Sequence, residues 1–82
     1  MSPLRIEYSD HAVVEMRKAK ITRQVVRRVL GYGRKVFSDV SPFGDVRWTS
    51  TLQIENIAYE VVWTQRAGYV LVVTAYRLGE YD

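Results

Sequence analysis

The chain has 82 residues, 48% of them apolar and 12% aromatic, with no cysteine and a formal net charge of +3. These values fit a single domain over residues 1–82, too small for two cores and too apolar for a disordered tail. They exclude a disulfide framework, a zinc-finger spacing and a thiol nucleophile, and one His among scattered acids makes a poor metal cage.

The pattern changes once along the chain, from helical to strand period, near Gly33. Residues 5–8 predict a short first strand or an extended lead-in. Ser9 and Asp10 are N-cap residues ahead of a helix reaching Ala19, with Ala12, Val13, Met16 and Ala19 on its core side. His11, Glu15 and Lys18 share the opposite arc. Thr22 opens a second helix whose apolar stripe is Val25, Val26, Val29 and Leu30. Its other side carries Arg23, Gln24, Arg27 and Arg28, and Gly31 and Gly33 are expected to end it. A short strand over 34–38 follows, then loop chemistry over 39–45 with Pro42 and Gly44. Next, Val46, Trp48, Ser50, Leu52 and Ile54 alternate with Arg47, Thr49, Thr51 and Gln53, the mark of a strand with two unlike faces. Glu55 and Asn56 fit a two-residue hairpin turn, Asn56 being the residue tolerant of positive φ. Residues 57–64 put Ile57, Tyr59, Val61 and Trp63 on one face, residues 65–68 turn again, and residues 69–77 are nearly continuous apolar. The expected architecture is α+β, two N-terminal helices packed on a four-stranded, or five-stranded, antiparallel sheet.

The charge of +3 conceals two unlike halves. Residues 1–35 carry nine Lys/Arg against three acids, whereas residues 36–82 carry three against six. From Met16 to Ser38 no acid occurs. A one-sided basic surface is the footprint of a polyanion binder, although a solvated helix face gives the same pattern. Candidate RNA contacts are Arg17, Lys18, Lys20, Arg23, Arg27, Arg28, Arg34 and Lys35.

The reactive groups are few. His11 is the single side chain whose ordinary pKa suits proton transfer near neutrality. Thr74 and Tyr76 interrupt an otherwise apolar strand with two hydroxyls on one face. Arg47 and Arg77 lie on strands, where a guanidinium fork can match two phosphate oxygens. Together His11, Arg47, Thr74 and Tyr76 suit RNA cleavage that needs no metal or cofactor. There the ribose 2′-OH attacks its own phosphate, and the protein supplies a proton acceptor, a donor and positive charge. A second evident acid–base group beside the His is missing.

The run His11-Ala12, Met16, Ile21-Thr22, Val25, Val29-Leu30 and the closing Val72-Val73-Thr74-Ala75-Tyr76 resembles a small bacterial domain-of-unknown-function family. That family belongs with the Barnase–EndoU–colicin–RelE-like superfamily of RNase toxins. The resemblance covers about residues 6–77 and rests on short motifs. It implies a RelE-like domain and metal-independent RNase activity in a toxin–antitoxin or intercellular-competition setting. The family's His falls on His11, its Thr/Tyr pair on Thr74 and Tyr76, and a sheet Arg on Arg47. Glu15 and Ala19 stand where the family usually carries arginine.

The expected partners are RNA, including ribosome-bound mRNA or tRNA, and an acidic antitoxin or immunity protein. Two other functions use the same basic face: a non-catalytic RNA- or ribosome-binding module, and a domain that docks an acidic protein. The longest apolar run, residues 69–73, is far short of the roughly 20 residues that span a bilayer. The opening residues lack a signal-peptide pattern, so no membrane partner and a cytoplasmic location are expected. A domain this small has a thin stability margin, which a homodimer would widen.

Overall fold

The structure, a computed structural model, describes residues 5–80, so part of the opening segment read for a leader lies outside the described residues. In chain order the elements are β1 (Ile6–Tyr8), α1 (Asp10–Ala19), α2 (Arg23–Tyr32), β2 (Arg34–Val40), β3 (Val46–Ile54), β4 (Ile57–Arg66) and β5 (Tyr69–Glu80). They form one five-stranded sheet in the order β1-β5-β4-β3-β2. Strands β2 to β5 are the expected antiparallel meander. The sheet as a whole is mixed, because β1 pairs parallel with β5, Ile6 opposite Val70 and Tyr8 opposite Val72. A parallel neighbour needs a long crossover, and the two helices and the meander supply it.

Both helices begin where a capping side chain satisfies an orphan N–H. The Ser9 hydroxyl accepts from the Ala12 N–H at 3.0 Å, and the Thr22 hydroxyl accepts from the Val25 N–H at 3.2 Å. Ser9 also donates to the Val73 carbonyl at 2.8 Å, which ties the start of α1 to β5. The helix α2 runs through Gly31 and ends at Tyr32, so Gly31 is no terminator. Gly33 is needed for a different reason. Its backbone is extended at φ −74°, but a Cβ there would stand 2.4 Å from the Val29 carbonyl oxygen and 2.9 Å from that of Thr51. The passage from helix to sheet is therefore too narrow for any side chain.

One face of the sheet carries the helices. Val26 and Val29 of α2, Ala12 and Met16 of α1, and Ile21 between them close on Val61, Val72 and Ala75. Each fully buried valine of this set contributes about 1.5–3 kcal/mol through apolar area removed from water. In β5 the alternation is interrupted, since Val62 pairs with Thr74 but Trp63 pairs with Val72, leaving Val73 as an extra residue. Beyond this bulge Ala75 packs into the core, and Thr74 and Tyr76 fall on the face without helices. That open face also presents Arg47, Thr49 and Thr51 of β3 and Glu60, Val62 and Thr64 of β4, by register. At the far edge every residue of β2 is exposed. In the β3–β4 turn the positive φ belongs to Glu55, at 58°, and not to Asn56. Among the described residues no helix is long and apolar enough to cross a membrane.

Candidate functional site

Among the described residues no strand flanks β5 on its β1 side beyond Val72, and α1 takes that place. The Ser9 N–H donates to the Val72 carbonyl at 3.0 Å, and an Arg77 Nη1 donates to the Ala19 carbonyl at 3.3 Å. The helix thus runs beside the strand, its first turn level with Val72 and Val73 and its last with Arg77. A rise of about 1.5 Å per helical residue against about 3.3 Å per strand residue puts His11 near the level of Thr74.

A groove of about 510 Å³ follows this edge, lined by Glu15, Lys18, Ala19 and Lys20 on one wall and Ala75, Tyr76 and Arg77 on the other. His11 does not line the groove; it is exposed one helical turn before Glu15, on the same stripe. Glu15 and Lys18 form a loose ion pair at 3.9 Å, with the lysine largely in water. Tyr76 is 43% exposed. Thr74 is only 5% exposed and its Oγ1 has no hydrogen-bond partner. An unpaired buried hydroxyl costs about 1–3 kcal/mol, so this one is an outlier that invites a ligand or a water.

Arg47 shares the open face with Thr74 and Tyr76 but lies on β3, two strands away and displaced along the sheet by about 7 Å from the row of Thr74 and about 13 Å from that of Tyr76. Its Nε donates to Asp39 Oδ1 at 2.6 Å, and its Nη2 bonds Asp39 Oδ2. That bidentate hydrogen bond raises the arginine's pKa above its ordinary value, against a smaller opposing effect of desolvation. The fork that would grip a phosphate is occupied by a carboxylate, so Arg47 would have to exchange partners to serve as a clamp.

The eight cations assigned to RNA are spread over several features of the structure. Arg17, Lys20 and Arg23 surround a cleft between the helices, and Lys18 faces the β5 groove. Arg27 and Arg28 are exposed further along α2, and Arg34 is exposed at the start of β2. Lys35 is spent elsewhere: its Nζ sits 4.3 Å from the Trp48 ring centre and 5.5 Å from that of Trp63. The Trp63 indole in turn donates to Ser50 at 2.8 Å. Among the described residues no cluster of three or more His, Cys, Asp or Glu side chains is placed to hold a metal ion.

Two residues of these sites were not singled out for chemistry by the sequence. Glu15 stands one helical turn after His11 and lines the β5 groove, and its signal was its place on the His11 stripe. Tyr8 stands in the cleft with the Arg23 guanidinium 5.1 Å from its ring centre. Nothing local marks Tyr8, because the pairing of β1 with β5 puts it there.

Compared with protein-family models, curated proteins and solved structures, the chain has no significant match in any of the three. The RelE-like resemblance therefore stands on the motif residues alone.

Proposed function

We propose that the chain is a cytoplasmic, RelE-like toxin: a metal-independent endoribonuclease that cleaves RNA by attack of a ribose 2′-OH on the adjacent phosphate. The observation that carries it is the groove in which Glu15 and Lys18 of α1 line one wall and Tyr76 of β5 the other, with His11 exposed one helical turn before Glu15 on the same stripe. In this mechanism the Glu15 carboxylate takes the proton from the 2′-OH. The oxygen then closes on phosphorus, and His11 in its charged form protonates the departing 5′-oxygen. The products are a 2′,3′-cyclic phosphate and a 5′-hydroxyl. Lys18 balances charge building on the phosphate, and the Tyr76 hydroxyl donates to one of its oxygens. The exposed arginines of α2 hold neighbouring phosphates, and an acidic antitoxin would compete for them.

The test is incubation of the full chain with a single-stranded RNA in EDTA, followed by analysis of the ends. Fragments ending in 2′,3′-cyclic phosphate are expected, with His11→Ala and Glu15→Gln slower by about 100-fold or more. Intact RNA, or His11→Ala cutting as fast as the wild type, overturns the proposal. A non-catalytic RNA- or ribosome-binding module is the second reading, favoured by the Arg47–Asp39 pair that withholds a sheet cation from the phosphate. Intact RNA that is nonetheless retained by the protein supports it.

A further inference from the structure

The cleft on the other side of α1 is a second site. It measures about 410 Å³, within the size range of small-molecule pockets, and lies between the body of α1 and the start of α2. Val13, Met16 and Ile21 make its apolar part, and Arg17, Lys20 and Arg23 its charged part. The ion pairs Arg5–Glu7, Lys18–Glu15, Arg47–Asp39 and Arg66–Asp45 engage none of these three cations. Three positive charges around one concavity repel one another unless an anion joins them.

The backbone adds an independent sign. Lys20 caps α1 in the left-handed region, at φ 58° and ψ 41°. Glycine is the ordinary residue there because it carries no steric penalty. A lysine in that conformation is strained, and here it brings a cation to the cleft. The N-terminus of α2, with Thr22 as its cap, opens into the same space and contributes the positive end of its dipole. Tyr8 completes the wall. Burial raises its phenol pKa above the ordinary value, and Arg23 and Arg27 oppose that rise, so the hydroxyl remains a hydrogen-bond donor at neutral pH.

We propose that this cleft binds one nucleotide of an RNA strand, with its phosphate among Arg17, Lys20 and Arg23 and its base or sugar against Val13, Met16 and Ile21. The choice of RNA as the source of that nucleotide rests on the function proposed above. The cleft and the β5 groove flank the same helix, so a strand crossing α1 would reach both.

The experiment is an amide NMR titration of the full chain with three probes: adenosine 5′-monophosphate, adenosine, and inorganic phosphate. The monophosphate is expected to give saturable shifts at Tyr8 and residues 17–23, with adenosine and phosphate each weaker by about tenfold or more. Lys20→Gly relieves the backbone while removing the cation, so it should be at least as stable as the wild type yet bind about tenfold more weakly. Arg17→Gln should weaken binding similarly, and Arg66→Gln should leave it unchanged. Absence of saturable shifts, shifts confined to the β5 groove, or phosphate binding as tightly as the nucleotide would each overturn the proposal. The same samples separate it from the nuclease mechanism. Nucleotide binding in the cleft with RNA left intact removes the mechanism and keeps the subsite, whereas cutting without cleft binding does the reverse.

Discussion

On the helix-covered face of the sheet, Val61 and Val72 are fully buried against Val26 and Val29 of α2 and Ala12 of α1. The opposite face carries Arg47, Thr49, Thr64, Thr74 and Tyr76 by register. The first face holds the fold together by apolar area. The second face is polar, as a face without helices ordinarily is, but Thr74 on it keeps a buried hydroxyl with nothing to bond. Stability and candidate chemistry are thus divided between two faces of the same strands, meeting where α1 lies along the edge of β5.

Substitutions on the two faces should behave oppositely. The largest effect is expected from Met16→Ala, which empties a buried position among the helix-facing residues and should cost about 2–5 kcal/mol in denaturant unfolding. A loss below about 1 kcal/mol would mean that the two helices are not the main support of the sheet. Thr74→Val keeps the shape and removes the unpartnered hydroxyl. It should therefore raise stability by about 1 kcal/mol in denaturant unfolding. Lower stability would show that the hydroxyl is satisfied in solution.

The smallest effect concerns Tyr8, at the parallel edge beside both helices. Its phenol has a raised pKa in the folded chain, because burial outweighs the pull of Arg23 and Arg27. The unfolded chain then ionises this group first as pH rises. The stabilising difference is complete below the ordinary value of 10.0 and is lost as pH climbs through the folded value. Stability measured from pH 8 to 11 should consequently fall less steeply in Tyr8→Phe than in the wild type.

Local chemistry made much of this division legible. Ser9 and Thr22 announce both helix starts, and the strict alternation of β3 and β4 separates Leu52 and Val61 from Thr51 and Val62. The parallel pairing of β1 could not be read, since its partner lies more than 60 residues away and three residues carry little pattern. The Val73 bulge also left no mark in an apolar run, yet it decides that Ala75 joins the core and Thr74 does not. Charge was legible as a total for each half and not as a surface. Lys35 went to two tryptophan rings, and Arg47 to Asp39, because strand pairing set their neighbours. Glu15 was legible as a neighbour of His11 on one helical stripe, but the place of that stripe beside β5 was not.

The central claim is that phosphate chemistry occurs at the edge of β5 while the arginines of α2 only hold the strand. It is tested most directly by steady-state cleavage of a short RNA, comparing His11→Ala and Tyr76→Phe with Arg28→Gln. The account predicts that the first two lower kcat, His11→Ala by about 100-fold or more, with KM little changed. Arg28→Gln should raise KM, leave kcat intact and reduce the salt dependence of binding by about one charge. A wild-type kcat in His11→Ala together with a collapse of kcat in Arg28→Gln would contradict it.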